Sequence, residues 1–361
     1  MDHDLIASLL NLVGGNSFFA ARYGFVCDNV ENFEVVLANG TIVNANVKEN
    51  PALWQALKGG SNNFGIVTRI DLTTFPLPGG NIWGGTVFYP NTTIPAQINA
   101  LVKFTDQIES DPNASLITFW AYSQATGATV VQNCYEYTDP NKKLADATIF
   151  QELLAIQPEL PLPPPAKSNT IRFDNLTSIT TELNAPANVR DLFATLTFAN
   201  DADLIAKVYE MSQALLEPLE NTVGLSWITM FQPVPTVFSK AGSKPGVPSE
   251  YEGNVMGLDR ATENQILFLF FVGWSAEADD GPLLEAAGKL VKQVKDYAAS
   301  KNQLGDWVYL NYALKDQEVL QGYGQANMEK ISKAAQAYDP NGVFQKLVPG
   351  GYKISQAMAT Q

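Results

Sequence analysis

Histidine is nearly absent from this chain: its 361 residues include one, His3. A Ser-His-Asp triad, a zinc site built from imidazoles and a non-haem iron facial triad all need more histidines or better-placed ones, so none of these is expected. Cysteine is almost as scarce. Cys27 and Cys134 are the only two, which implies no disulfide framework and leaves either one pair or two buried thiols. Basic residues are few: 23 Lys and Arg stand against 37 Asp and Glu, a formal net charge of -14. Nucleic acid and anionic lipid both select for clustered cations, so neither partner is expected. No apolar run reaches the length of a bilayer. The Met1 to Val13 stretch has an apolar part but an acidic start, where a secretory signal carries positive charge.

What is present describes a well-cored globular chain. Hydrophobic residues make up 46% and charged residues 17%, outside the disordered range. The length suggests two domains or one large one. Four Asn-X-Ser/Thr sequons begin at Asn39, Asn91, Asn113 and Asn175, about what chance gives at this composition.

Along the chain, Asn32–Leu37 reads as a strand, Asn39-Gly40 as a hairpin turn and Thr41–Ala45 as the return strand. Asn50-Pro51 starts a helix, with Asn as cap and Pro in the first turn, and Gly59 stops it. A Gly/Asn-rich loop, Gly59 to Gly65, leads into an apolar strand over Ile66–Phe75. Breakers at Leu77–Gly80 mark a boundary. Beyond it, strands are expected at Trp83–Tyr89, Leu116–Ser123, Thr129–Tyr137, Leu192–Phe198, Val223–Phe231 and Gln265–Trp274. Helices are expected at Ala96–Glu109, Leu144–Leu154, Asp203–Leu219 and Pro282–Ser300. Leu204, Ile205, Val208, Met211 and Leu215 recur at helical spacing, the mark of a helix lying on a sheet. The mixture argues for an α+β fold. Gln157–Lys167, with five prolines, reads as a stiff surface loop, and Pro233–Gly257 as a long loop suited to a substrate-site lid.

Several segments then match one family in order and spacing. Gly14-Gly15-Asn16-Ser17-Phe18-Phe19, Arg22-Tyr23-Gly24, Cys27-Asp28-Asn29-Val30 and Phe33 to Gly40 come first. Asn50 to Gly60 and Asn63-Phe64-Gly65-Ile66-Val67-Thr68 follow, then Tyr309-Leu310-Asn311-Tyr312 and Tyr338 to Phe344. This set resembles the berberine bridge enzyme-like flavoproteins, with their PCMH-type (vanillyl-alcohol-oxidase-type) FAD domain, most closely fungal members. The resemblance implies FAD as cofactor and a small-molecule substrate. It places part of the FAD domain at 1–78, a substrate domain with a mixed or antiparallel sheet at 79–304, and a segment returning to the FAD domain at 305–361. A monomer is expected.

By the same resemblance, Gly14 and Gly15 approach the pyrophosphate and flavin, while Gly65, Ile66 and Val67 line the adenosine side. Glycine lets backbone N–H groups come close to a ligand, which suits Gly59, Gly60 and Gly65, with Asn63 orienting the loop. Tyr309, Asn311 and Tyr312 return near the flavin ring. Tyr309 or Tyr312 can act as a base only if a cationic neighbour lowers its pKa. Packing of turns and of a domain interface is the competing reading for these residues.

Departures from the family pattern are chemical. No histidine sits in an Arg-Gly-Gly-His type segment, and Cys27 lies downstream of the Gly-Gly turn, where it does not match the family's cysteine link. Leu5 to Val13 do not look like the glycine-rich segment expected there. The phosphate-cradling first subdomain is therefore expected to be missing and flavin binding to be impaired. The competing functions are a flavin-free pocket protein, an inactive truncated product, and a non-redox isomerase or cyclase using Tyr251, Asp259 or Tyr312. Family members are commonly secreted, but no signal peptide is read here.

Overall fold

The computed structural model describes residues 12–162, 166–183 and 189–359. His3 and most of the Leu5 to Val13 stretch lie outside the described residues, as do the three consecutive prolines of the Gln157–Lys167 loop. The chain divides into two compact units. The first comprises 1–75, 236–262 and 306–361; the second comprises 76–235 and 263–305. The expected division placed 236–262 in the substrate domain, whereas these residues cluster with the first unit.

In the first unit, β1 (Val30–Val36) pairs antiparallel with both β2 (Ile42–Asn46) and β3 (Ile66–Leu72). The hairpin turn forms where Asn39-Gly40 predicts it: Gly40 takes φ +82° and Thr41 N–H bonds to Asn39 Oδ1 at 3.0 Å. Alternation sends Phe33 and Val35 into the core. The other face carries a polar ladder in which Asn32 bonds with Asn44, Asn46 and Asp71. Ile42, Val36 and Ile66 form one cross-strand row at its end.

The helix Pro51–Leu57 buries Leu53, Trp54 and Leu57, and its Trp54 indole donates to Val30 O at 3.0 Å. Asn50 sits at the cap position but does not cap with its side chain. It adopts a left-handed conformation, its amide donates to Asn44 O, and its Oδ1 accepts from Tyr338. A C-terminal helix, Gln325–Tyr338, buries Met328, Ile331 and Ala335. The Asp-Pro-Asn-Gly run after it has a mechanical role: both Asp339 carboxylate oxygens accept from the first N–H groups of the next short helix, those of Val343 and Phe344, at 2.8 Å each.

The second unit is built on a seven-stranded antiparallel sheet. Its strands are β4 (Asn81–Pro90), β5 (Ala114–Ser123), β6 (Ala128–Tyr137), β7 (Arg172–Asn175), β8 (Arg190–Ala199), β9 (Ser226–Val234) and β10 (Gln265–Trp274). The order is β7-β4-β6-β5-β9-β10-β8. The helices Ile94–Gln107, Ala202–Leu216 and Asp280–Ser300 lie on this sheet. Contacts from the first two, Gln97 to Asn133, Tyr209 to Trp120 and Ser212 to the Trp227 indole, place them on one face. In the second of these helices Ser212 and Leu216 are buried where Met211 and Leu215 were expected, because Ser212 accepts the indole N–H.

β9 begins three residues later than expected, because Gly224 turns at φ +73° and leaves Val223 exposed. Leu144–Leu154 forms two 3-10 turns and one short helix rather than a continuous helix, since Ala147 is extended.

Candidate functional site

The expected site residues all fall in the first unit, and several sit against one another. Gly14 and Gly15 are buried, with φ of +110° and +81°, a region that favours glycine. Their carbonyls accept from Cys27 and Val26, which fixes the turn against the segment that follows it. The next N–H, that of Asn16, donates to the Tyr309 phenol at 2.9 Å. Asn311 Nδ2 donates to the same oxygen at 2.6 Å. Tyr309 thus joins the glycine turn to the Tyr-Leu-Asn-Tyr segment. Tyr312 meets the Tyr309 ring edge-on at 4.9 Å, and Trp307 lies 5.0 Å from it on another side.

The electrostatics of Tyr309 run against a role as base. Burial, and then the neighbouring Tyr312, push its phenol well above the usual range, and no cation is among the groups that shift it. It acts as a hydrogen-bond acceptor that organises its neighbours. Asn311 has a different property. Its Oδ1 is buried and accepts no hydrogen bond, and a buried acceptor left open is costly unless a ligand supplies the donor.

The Gly59 to Gly65 loop serves the fold more than expected. Gly59 and Gly60 N–H groups donate to Leu57 O and Ala56 O, closing the helix end rather than standing free for phosphate. A Cβ on Gly65 would come within 2.5 Å of Val35 Cγ1, so that glycine is required by the neighbouring strand. Asn63 is fully buried and does orient the loop. Its amide donates to Gly60 O and Tyr352 O, and its Oδ1 accepts from Gln345. Ile66 is 60% exposed and Val67 half-buried, so both remain open to a ligand.

Sequence reasoning gave no role to a buried charged cluster beside this site. Asp28 accepts from Phe25 N–H at 2.8 Å and from Asn254 Nδ2 at 2.9 Å. Burial pushes its pKa up all the same. Lys58 is 2% exposed, with its ammonium 3.3 Å from the Trp54 ring centroid. Burial lowers its pKa to about 8 against the opposing pull of Asp28. Cys27 is a buried free thiol, pushed up by burial and by Asp28. Cys134, in the second unit, is likewise free and buried.

The Asp-Asn and Lys-Gly-Gly runs were visible in the sequence, but their proximity was not. The Pro233–Gly257 loop, expected as a lid, contains a helix at Val237–Gly242, and Val255 and Met256 near its end are fully buried. Of the alternative acid–base groups in this insert, Tyr251 is half-buried and Asp259 exposed.

Comparison with known proteins gives these residues a context. No family model matches the chain. The FAD-dependent monooxygenase drtC of Aspergillus calidoustus is 38% identical over 347 residues, covering 95% of this chain and 62% of that protein. The FAD-dependent monooxygenase sdcF of Emericella nidulans is 36% identical over 353 residues, covering 96% of this chain and 70% of that protein. The chain belongs to this family of fungal FAD-dependent monooxygenases. The family's cofactor is FAD, as the resemblance implied. The fold is that of the berberine bridge enzyme-like flavoproteins: the structure of berberine bridge enzyme from Eschscholzia californica superposes with a TM-score of 0.65 at 14% identity, covering 95% of this chain and 70% of that one. The chain thus spans less than two thirds of the length of the first of these monooxygenases.

Proposed function

We propose that this chain carries the ring-side part of a flavin site and the substrate domain of an FAD-dependent oxidoreductase. Its substrate would be an alcohol, a sugar or a specialised-metabolite carbon, and the electrons would go to O₂. The observation that carries this reading is Asn311 Oδ1, a buried acceptor without a donor at the point where the Gly14–Asn16 turn meets the Tyr309–Tyr312 segment. That polarity fits a ring N–H such as the imide of a flavin.

The residues that would hold the cofactor are Gly14 and Gly15 through their backbone, Asn311 through its side chain, and Ile66 and Val67 on the exposed strand. Bound FAD would supply the hydride-accepting chemistry. Tyr309 positions Asn311 and the glycine turn by accepting from both. Tyr312 is the remaining candidate for moving a substrate proton. Gly59 and Gly60 spend their N–H groups on the helix end, so weak holding of FAD by these 361 residues is part of the proposal.

The test is the visible absorbance of purified protein after gel filtration, with and without added FAD. A flavin band that co-elutes supports the reading. Protein that folds cooperatively and stays colourless in excess FAD overturns it in favour of a flavin-free pocket. Asn311→Ala should raise the dissociation constant for FAD about tenfold, the loss of one hydrogen bond to a buried group.

A further inference from the structure

One side chain stands against both glycine turns of the first unit. A Cβ on Gly14 would lie 2.7 Å from Met256 Sδ and 3.2 Å from its Cε. A Cβ on Gly59 would lie 2.6 Å from Met256 Cγ. The two turns are far apart in sequence, yet each lacks a side chain on the side where Met256 sits. Met256 is fully buried. The space that two absent side chains leave is therefore filled from the 236–262 segment, not open.

The backbone on either side of Met256 is held in place. Its N–H donates to Asn254 Oδ1 at 2.9 Å, and Asn254 Nδ2 donates to the buried Asp28 carboxylate at 2.9 Å. Val255 N–H donates to Lys58 O at 3.1 Å, the residue before Gly59. Gly257 takes φ +80° so that the chain can pass Tyr323, whose backbone oxygen would be 2.4 Å from a Cβ there. The Tyr323 phenol in turn donates to Gly59 O at 3.0 Å. Gly242 and Gly24 close the same joint, since a Cβ on either would meet Asp28 Oδ2, at 2.6 and 2.7 Å.

We propose that Met256 is a positioning residue for the flavin site: a wedge that sets the spacing between the Gly14–Gly15 and Gly59–Gly60 turns, with Asp28 and Asn254 holding it in place. This rests on the flavin reading above. A thioether suits the task, because an unbranched, polarizable chain fills the irregular gap between two backbones. Interiors this closely packed transmit the loss of one side chain to the walls around it. The glycines then owe their absent side chains to Met256, and a cofactor contact at Gly14 is left to its backbone.

The experiment titrates FAD into the 361-residue chain by flavin fluorescence quenching, well below each variant's melting temperature. Met256→Ala is compared with Met256→Leu, which keeps the volume. The alanine variant should bind FAD at least tenfold more weakly and broaden the structured flavin band, and the leucine variant should return to within about threefold of the parent. Asn254→Ala, which keeps Met256 but cuts its tether, should shift affinity the same way and carries the test if Met256→Ala does not fold. An alanine variant that melts lower but binds FAD with unchanged affinity and spectrum overturns the inference while the flavin reading stands. A parent chain that never takes up FAD overturns the flavin reading itself.

Discussion

The Tyr309 phenol accepts a hydrogen bond from the backbone N–H of Asn16, 2.9 Å away and 293 positions earlier in the chain. This contact closes the first unit, because it ties the C-terminal Tyr-Leu-Asn-Tyr segment to the glycine turn near the start of the described residues. The same oxygen also takes the Asn311 amide, so one atom sets the position of two groups that the flavin reading uses. Tyr309→Phe should therefore cost about 1–2 kcal/mol, since it leaves two partly buried donors without this acceptor. A thermal melt would show the loss. An ultraviolet titration of the parent adds a second check: the Tyr309 phenol should stay un-ionised in the folded protein through the ordinary tyrosine range, because its pKa is raised. A base at this position would ionise early.

Glu136 gives a pH dependence with a definite sign. It is 1% exposed, and burial raises its pKa from 4.5 to about 8. In the folded chain it stays protonated while the unfolded chain ionises. Stability should therefore be full below about pH 4.5 and fall as pH rises toward 8, at roughly 1.4 kcal/mol per pH unit for this group. Glu136→Gln removes the titration. Urea melts at pH 5 and pH 8 should show the variant gaining on the parent as pH rises, by on the order of 3 kcal/mol. Equal curves at both values would contradict the buried acid.

Lys58 acts in the opposite sense at higher pH. Its folded pKa is lowered to about 8 from 10.5, so above pH 8 the unfolded chain binds more protons than the folded one. Its contribution to stability should rise with pH through this window. Lys58→Met lacks that contribution. The stability difference between parent and variant should change by roughly 1.4 kcal/mol per pH unit between pH 8 and 9.5, measured by denaturant melts.

Two glycines in the same hairpin region should respond differently to alanine. Gly65→Ala brings a Cβ to 2.5 Å from Val35 Cγ1 and 2.9 Å from Val36 O, neither of which can move freely within the sheet. A loss of about 1–3 kcal/mol is expected from such overpacking. Gly40→Ala meets nothing within 4 Å and bears only the strain of φ +82°, about 1–2 kcal/mol. Denaturant melts should rank Gly65→Ala at least as costly, and Gly65→Ala should also perturb the β1–β3 amide signals by NMR.

Local chemistry was readable without the fold. The strand Gln265–Trp274 follows its apolar run from Ile266 to Trp274, and it is buried on both faces along that run, which is why an uninterrupted apolar stretch marks it in the sequence. The Asn39-Gly40 turn and the Pro51 helix start follow from backbone preferences that act within a few residues. Asp201, whose carboxylate caps the helix at Ala202 through Leu204 N–H, follows the same local rule, although the helix was expected to start at Asp203. The ordered glycine and aromatic segments were enough to indicate, by resemblance, the flavoprotein family.

Tertiary structure decided which of those residues share a place. Pro233–Gly257 reads as a free loop, since its proline and glycine content reports only local irregularity. Its burial depends on Asn254 reaching Asp28 and on Met256 meeting Gly14 and Gly59, contacts that no local pattern encodes. The roles within the glycine-rich loop changed for the same reason. A sequence shows that a side chain is missing at Gly59 and Gly65, but only the folded chain shows that Met256 and Val35 stand where those side chains would be. The sequence by itself determined most of the sheet and helix positions through short-range patterning, and its resemblance to a known family indicated the flavoprotein class and FAD. The spacing of the turns, the raised pKa of Tyr309 and the open acceptor on Asn311 come from burial and long-range contact, which exist only once the chain has closed on itself.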